Sequence, residues 1–458
     1  MNYRSLIRWT VMTILFAGIS GLHAQDVKKL SMDDCVKIAL ENNSVLKNKK
    51  RDVDLAGTDV VSARSALLPS INASLASGKY IQGERKFAGD VPVGIDTLTG
   101  EAIYEQKTIT QSRIERNSHY ANISLTQQLW DWGRDWRALK QANLGRESAR
   151  LSLLSTKNQV VYNVKEAYFE LLKAKKLGEV YQEAVTVSEE QLKRTEVMYQ
   201  IGSIALADVY KAKVQVGRDQ VNLITQQNII VKAEADLNYA LGLEPNSPID
   251  IEEMDVEVSQ LSMQRTDAVQ TAVERNPDLK NIGLNIDNYY HEKRKAQLAF
   301  LPTISGRVSY QRDNEDINRV YNKHLNQDYS VNIGAQLDLN IFKGFADKAE
   351  LQRQSLNYAK AEEDYIDHER QLKSNVTQAY LNVKAYREIA DINSTNLESA
   401  QEDFRLAQER YKIGSGTLIE VIDAQLSVTQ AKSNLVTARY NTQIALAYLN
   451  SLLNTSNE

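Results

Sequence analysis

Few side chains in this 458-residue sequence have the type and spacing that catalysis or metal binding requires. The single cysteine, Cys35, can form neither an internal disulfide nor a cysteine-rich metal site. There is no phosphate-binding glycine loop and no Gly-x-Ser-x-Gly elbow, and Gly414-Ser415-Gly416 lacks the rest of a nucleotide fingerprint. No two histidines stand at ligand spacing; they are His23, His119, His291, His324 and His368. We therefore expect no enzyme activity, no metal and no cofactor.

Carboxylates at helical spacing are the remaining candidates for chemistry. Glu420 and Asp423 stand three residues apart and share one face of a predicted helix. Asp208 occupies the matching position in an earlier copy of the same pattern, where Lys211 replaces the second acid. The alternative interpretation of these acids is an ordinary solvated helix face.

Composition excludes two classes of protein. Lys and Arg total 55 against 59 Asp and Glu, a formal charge of −4, so the basic excess of a nucleic-acid binder is missing. Hydrophobic residues make up 42% of the chain and recur at regular spacing, which argues against disorder.

The N-terminus reads as a secretory signal peptide. Arg4 and Arg8 precede an apolar run that ends at Ile19, and a small-residue cleavage site follows at Ala24. We assign residues 1–24 to the signal, with the exact bond left open. No cysteine stands at the cut for lipidation, and no later stretch of about 18 apolar residues predicts a transmembrane helix.

Two copies of one design follow the signal. Val36 recurs as Val269, 233 residues later, and Tyr199 recurs as Tyr411, 212 residues later. The change of offset places a longer loop in the first copy. The predicted organisation is a first repeat at 25–242, a linker or equatorial segment at 243–262 and a second repeat at 263–458.

Each repeat contains a helical hairpin of unusual length. Residues 346–413 hold neither Pro nor Gly, and 134–201 hold only two Gly, which predicts helices of about 100 Å. Apolar residues in both follow alternating spacings of four and three, the pattern of a coiled coil. Further helices are predicted by the same rules at 206–241, 418–453, 44–67 and 279–301.

The sequence period changes to two in four runs of about 9–12 residues, which predicts strands with one apolar and one polar face. They form two β-hairpins, at about 70–130 and 303–341. Residues 80–119, rich in Gly and charge, are predicted to be a mobile aqueous loop. The second hairpin's loop, around 313–328, is short and polar.

Four strands cannot close a barrel, and open strand edges in lipid leave backbone groups unpaired at several kcal/mol each. A membrane location therefore requires oligomerisation into eight or twelve strands, and small polar residues on the inner face favour the twelve-stranded, water-filled form. The soluble alternative is a β-sandwich at the end of a coiled coil.

The ordered set of features resembles the TolC-type outer-membrane efflux protein (outer membrane factor) family. The residues that carry the resemblance are Leu68-Pro69 and Leu301-Pro302 before the hairpins, with Trp130-Asp131-Trp132-Gly133 and Phe342-Lys343-Gly344 after them. It implies an α+β membrane protein: a trimeric twelve-stranded transmembrane β-barrel in the outer membrane, continued by a long α-helical coiled-coil barrel in the periplasm. Such proteins are passive exit ducts that dock to a periplasmic adaptor (membrane fusion) protein and an inner-membrane pump.

The resemblance also implies site residues. Turns at the periplasmic helix tips would contact the adaptor; they contain Ile201, Gly202, Ser203, Ile413, Gly414, Ser415 and Gly416. Three copies would bring the aperture-gate residues around one axis and attract cations; these are Glu420, Asp423, Asp208 and Tyr411. The junction of barrel and helices would hold Pro69, Pro302, Trp130, Trp132 and Phe342. Gly416 stands where some members carry a basic latch residue, so a salt bridge from that position is not expected.

Two alternatives stay open at this level. The tips could be plain glycine-ended helical hairpins, and the aromatic residues an interfacial belt instead of junction packing. A non-channel periplasmic or surface coiled-coil scaffold or adhesin is the competing function. The sequence does not give the cargo, the identity of the pump, or whether the aperture rests open or closed.

Overall fold

A computed structural model describes residues 29–254 and 263–455. The predicted signal peptide and the last part of the predicted linker, 255–262, lie outside the described residues. The chain divides into two compact units. We call one the helical unit (Met1–Asp52, Arg150–Asn281 and Tyr365–Glu458) and the other the strand unit (Val53–Ala149 and Ile282–Asp364).

Helices and strands occupy most of the described chain. The helices are α1 Met32–Asn42, α2 Ser44–Ser65, α3 Arg134–Gln200, α4 Leu206–Leu241, α5 Arg265–Arg275, α6 Pro277–Leu298, α7 Ile317–Val320, α8 Ala346–Lys412 and α9 Leu418–Leu453. The strands are β1 Ser70–Gln82, β2 Arg85–Ile95, β3 Ala102–Gln111, β4 Ile114–Trp130, β5 Thr303–Asn314 and β6 Ser330–Asp338. Over the described residues, every helix is too short or too polar to cross a membrane.

The long helices follow the sequence pattern closely. Helices α3 and α8 have 67 residues each, about 100 Å, and both end one residue before the predicted limit. Helices α4 and α9 have 36 residues each and the predicted bounds. The sequence interpretation missed the 11-residue helices α1 and α5, each of which ends directly before a turn made by a single asparagine.

Those asparagines set the bends that join α1 to α2 and α5 to α6. The side-chain oxygen of Asn43 accepts from the backbone N–H groups of Val45 and Leu46, at 3.0 and 3.1 Å. Asn276 does the same for Asp278 and Leu279, also at 3.0 and 3.1 Å. A short polar side chain can satisfy the unpaired N–H groups at a helix start, so each bend needs no other partner.

The core of the helical unit lies where the short helices cover the long ones. Helix α1 buries Cys35 and Ala39 against α3 and α4, next to Tyr168. The Tyr168 hydroxyl donates to the carbonyl of Glu252 at 2.9 Å, and the segment at Leu30 pairs with Ile251. Burial, with Asp34 adding to it, raises the pKa of the Cys35 thiol to about 11, so this cysteine is an unreactive packing residue.

A second cluster covers α8 and α9 in the same manner. Helix α5 contributes Ala268 and Ala272, which pack against Val376 of α8 and Leu453 of α9. Asn276 also donates from its amide to the carbonyl of Leu452 at 3.2 Å. The two short helices thus hold equivalent positions on the two long hairpins.

Four strands of the strand unit form one antiparallel sheet in the order β1-β4-β5-β6. The predicted apolar rows meet across the strands: Ile71 pairs with Leu125, Ile123 with Tyr310 and Tyr310 with Val331. This apolar face is uncovered within the single chain; Leu75 is 73% exposed and Ile333 is 78% exposed. Within the described residues, β1 and β6 each have one neighbouring strand in this sheet, so both of its edges are open.

The prediction of a mobile loop at 80–119 is wrong. Strand β1 continues to Gln82, β4 begins at Ile114, and between them β2 and β3 pair as a separate two-stranded ribbon. Its turn closes through Asp96, whose side chain accepts from the Leu98 N–H at 2.8 Å, and Gly100, whose φ is 71°. Cross-strand pairing of residues such as Phe87 with Ile109 outweighs the glycine and charge content that suggested a loop.

Candidate functional site

The two helical hairpins end in tips with the same backbone geometry. Gly202 after α3 has φ 78° and Gly414 after α8 has φ 76°, a left-handed conformation that strains other residues. The N–H of Ser203 donates to the carbonyl of Met198 at 2.9 Å, and that of Ser415 to the carbonyl of Arg410 at 2.9 Å. Each tip is therefore a Schellman-type helix end that satisfies its own carbonyls.

Both tips leave an apolar side chain and a serine at the surface. Ile201 is 74% exposed and Ile413 is 79% exposed. The hydroxyls of Ser203 and Ser415 donate back to the last turn of their helices, at 2.8 and 3.2 Å. The sequence-predicted contact residues are thus brought to the ends of the hairpins as small, hydrogen-bonded, partly apolar turns.

The second tip is closed more tightly than the first. Thr417 caps α9 by accepting from the N–H of Glu420 at 3.3 Å, whereas Ala205 at the equivalent place before α4 has no side chain to do so. A Cβ added to Gly416 would lie 3.1 Å from the Cβ of Arg410 and 3.2 Å from the Tyr411 nitrogen. A side chain at position 416 would therefore require the neighbouring backbone of the turn to shift.

The predicted acids of the aperture are partly neutralised by basic neighbours. Glu420 lies 3.3 Å from the Arg410 guanidinium, which also donates to the Ser415 carbonyl at 3.4 Å. Asp208 lies 3.1 Å from Lys211 on the same helix. Asp423 is exposed and takes no ion pair within the described part of the chain. Sequence reasoning missed Arg410; its position directly before Tyr411, at the start of the Gly414 turn, was the available signal.

Tyr411 is the member of the predicted gate that is buried. It is 9% exposed and packs with Ala212, Leu418 and Val421, which brings α8 and α9 against α4. Burial raises the pKa of Tyr411, the Asp208 carboxylate acts in the same direction, and the hydroxyl of Thr195 opposes them. The structure therefore packs Tyr411 against α4, the helix that carries Asp208, while Glu420 pairs with Arg410.

A line of buried polar side chains runs along the α3–α4 hairpin behind the tip. The Gln215 amide donates to both carboxylate oxygens of Asp219, at 3.0 and 3.1 Å. Asp219 is buried, and this raises the pKa of its carboxyl although Ser188, Gln215 and Arg218 stabilise the charged form. The sequence pattern counted Ser188 as an ordinary coiled-coil position and did not reveal this polar line.

The predicted junction residues surround the ends of the sheet. The Trp132 indole donates to the carbonyl of Pro302 at 2.8 Å and meets Trp130 edge-on, with ring centroids 5.7 Å apart. Asp131 caps α3 by accepting from Gly133 at 2.9 Å and from Asp135 at 2.6 Å. Phe342 pairs with Phe345 instead, 5.4 Å away. Pro69 precedes β1. Three of the five predicted residues are therefore in aromatic pairs near strand ends: Trp130 with Trp132, and Phe342 with Phe345.

Comparisons with known proteins agree on one kind of protein. The family model "Outer membrane efflux protein" matches residues 35–243 and 268–455. The outer membrane protein TolC of Escherichia coli strain K12 is 25% identical over 439 residues, covering 91% of this chain and 80% of TolC. The alkaline protease secretion protein AprF of Pseudomonas aeruginosa is 21% identical over 458 residues, covering 98% and 88%. The open-state crystal structure of the MtrE outer membrane channel of Neisseria gonorrhoeae matches with a TM-score of 0.76 at 18% identity, covering 93% and 89%.

Fold, tips and relatives together define the class: a channel of the outer membrane that serves efflux or secretion. Because the family model covers most of the sequence, the chain belongs to the outer membrane efflux protein family. Its members are channels and not enzymes, and the scaffold or adhesin alternative is not favoured.

Proposed function

We propose that the chain is a passive exit duct that assembles as a homotrimer, with a twelve-stranded barrel in the outer membrane. The observation that carries this proposal is the sheet β1-β4-β5-β6, which has an exposed apolar face and two open edges. In hydrocarbon, each unpaired backbone group at such an edge costs several kcal/mol. Pairing β1 of one copy with β6 of the next removes both edges at once.

The opposite face of the sheet supports three copies over two. It carries small polar residues: Asn72, Ser74, Ser124, Ser309 and Asn332. Eight strands enclose an interior that side chains fill, whereas more strands leave room for water. A polar inner face is compatible with the water-filled form, and three copies of four strands supply it.

We propose further that the chain consists of two tandem repeats, at 25–242 and 263–458, joined by the segment 243–262 after removal of a signal peptide. The equal lengths of α3 and α8, and of α4 and α9, support this organisation. So does the identical capping by Asn43 and Asn276. The long hairpins would lead from the barrel into the periplasm.

The tips would form the periplasmic gate and the contact with an adaptor protein. The buried Tyr411 packs with Ala212 and so ties the α8–α9 tip to α4, and movement of the α8–α9 hairpin away from α4 would open the aperture. In a trimer, Glu420 and Asp423 would contribute six carboxylates around the axis and favour cations. The exposed Ile201 and Ile413 turns offer the apolar surface for a partner.

The relatives support partners of a tripartite system, in which a periplasmic adaptor and an inner-membrane pump deliver the cargo to the duct. TolC is an outer membrane protein by name, and AprF is named for protease secretion. The proposal therefore includes both efflux and type I secretion as routes that use this architecture.

Membrane fractionation and planar-bilayer recording test the duct directly. We expect the chain to fractionate with the outer membrane, to require detergent, to cross-link as a trimer and to conduct ions when reconstituted. A water-soluble single polypeptide released by osmotic shock would contradict the proposal and restore the scaffold alternative.

The gate is tested by neutralising the acids. Glu420→Gln with Asp423→Asn should lower the preference for cations in single-channel recordings, because the charge at the narrowest point is lost. Asp208→Asn, at the matching site of the first repeat, is the control and should change selectivity less. Unchanged selectivity in the double variant would remove Glu420 and Asp423 from the gate.

A further inference from the structure

A cleft beside the tips combines apolar walls with a basic rim. It lies between α3 and α8 in the helical unit and has a volume of about 490 Å³. Its walls are formed by Val197 and Met198 of α3 and by Tyr411 of α8, with Lys193, Arg194 and Lys412 around them. The volume is in the range of sites for single small molecules.

We propose that this cleft binds a small anionic amphiphile, a molecule with an apolar body and one carboxylate or sulfonate group. The apolar body would lie against Val197, Met198 and the Tyr411 ring. The lysine and arginine stems extend the apolar wall, and their charged ends remain in water at the rim. The anionic group would then meet the basic rim while the rest of the molecule leaves water.

The basic residues at the rim favour a ligand with a negative charge. The Arg194 guanidinium forms an ion pair with the Glu190 carboxylate at 3.6 Å, and the Lys412 ammonium forms one with the Glu409 carboxylate at 2.8 Å. Lys193 takes no ion pair in the described ranges, so its ammonium is the charge available to a ligand. A cationic or neutral amphiphile would gain the apolar contacts but would meet, respectively, repulsion or no partner at Lys193.

Gln191 and Tyr411 add buried polar groups to the lining of the cleft. The Gln191 side chain is 6% exposed, and its amide lies 3.4 Å from the Thr195 hydroxyl, at the long limit of a hydrogen bond. The hydroxyl of the neighbouring Tyr411 is buried without a hydrogen bond of good geometry among the described residues. The Tyr411 hydroxyl is therefore a buried polar group in the lining of the cleft that a ligand could pair with.

The test uses 1-anilinonaphthalene-8-sulfonate as a fluorescent anionic amphiphile, with the purified full chain in zwitterionic nanodiscs and empty nanodiscs as the baseline. We expect saturable binding that decanoate displaces and that decan-1-ol or decyltrimethylammonium displaces at least threefold less well. No saturable binding, or equal displacement by all three, would overturn the proposal.

Two variants localise the site. Lys193→Gln should weaken probe binding at least threefold, and Met198→Trp, which fills the cleft, should abolish the saturable part. Arg405→Gln changes the position of the second repeat that matches Lys193; Arg405 is paired with Glu402 outside the cleft, and this variant should bind as wild type. Equal binding by Lys193→Gln and wild type would overturn the assignment even if Met198→Trp fails to fold. Channel conductance of the same samples is measured separately, so failure of the duct proposal remains distinguishable from failure of the cleft.

Discussion

The α3–α4 and α8–α9 hairpins have equal lengths but differ in what they bury. At matching positions, Asp219 of α4 corresponds to Ala431 of α9, and Thr195 of α3 corresponds to Ala407 of α8. The first hairpin thus has a polar interior near its tip, and the second has an alanine-lined one. The contacts that hold the tip closed lie in the second hairpin: the Thr417 cap, the tight turn at Gly416 and the Arg410–Glu420 pair. One backbone design therefore supports a hairpin with a polar interior and a hairpin with a more tightly closed turn.

The largest expected difference between the hairpins concerns their matching tyrosines. Tyr411 is 9% exposed and Tyr199 is 42% exposed. Tyr411→Ala should cost about 3 kcal/mol at the α8–α9 tip, because it leaves a cavity among Ala212, Leu418 and Val421. Hydrogen exchange of the tip and single-channel conductance would both report the loss. Tyr199→Ala is the control; an equally large effect there would show that the two tips are held in the same way.

Exchanging the residues before the two helix caps gives the next largest effect. Gly416→Ile introduces the residue that the first tip carries as Ile204, but into a turn where even a Cβ meets backbone at 3.2 Å. Overpacking of this kind costs about 1–3 kcal/mol, so the melting temperature of the purified protein should fall. The reverse change, Ile204→Gly, should have little effect, and a larger loss from it would contradict the assignment of the tighter turn to the second tip.

The helix caps differ by one hydroxyl. Thr417→Ala should destabilise the start of α9 by about 1 kcal/mol, since the Glu420 N–H loses its acceptor. Ala205→Thr should stabilise the start of α4, which lacks a side-chain cap. Hydrogen exchange at residues 418–421 and 206–209 measures both. No change in either variant would mean that solvent satisfies these groups equally well.

The interior carboxylate gives the smallest effect, and its sign follows from the pKa. The pKa of Asp219 is raised in the folded chain, so the folded state holds the proton more tightly than the unfolded state. The stability of the α3–α4 hairpin should therefore fall as pH rises from the ordinary Asp pKa through the raised one. Asp219→Asn should remove this dependence, as judged from opening free energies corrected for intrinsic exchange. A rise in stability with pH over that window would contradict it.

Residues that end helices made the helix bounds predictable from the sequence. Gly202 and Gly242 bracket α4 and Gly414 precedes α9, because glycine both ends a helix and marks the turn, whereas α9 ends before Asn454, which takes the left-handed conformation itself. Alternation predicted the strand faces. Gln127 interrupts the apolar row of β4, and its amide donates to the Leu67 carbonyl at 3.2 Å. The ribbon β2–β3 was missed because its stability depends on cross-strand pairs that no single segment displays.

The site was less predictable than the fold. Position in the repeat indicated Glu420, Asp423 and Asp208, but spacing along one helix cannot show which side chain is buried. Tyr411 and the Arg410–Glu420 pair depend on the approach of separate helices around the tip. The polar line through Asp219 was hidden because its members, on α3 and α4, are separated by the turn. The gate, tip and junction roles came from the resemblance to the TolC-type family and not from the residues alone.

The open edges of the β1-β4-β5-β6 sheet determine when a chain of the proposed trimer can enter the membrane during assembly. A newly exported copy has no stable way to enter the bilayer alone, so insertion must accompany encounter with two sisters and should depend steeply on expression level. A copy truncated before β6 would take one position in the trimer and leave the barrel unclosed for the two intact copies. Such a fragment should therefore act as a dominant inhibitor in cells that also make the intact chain.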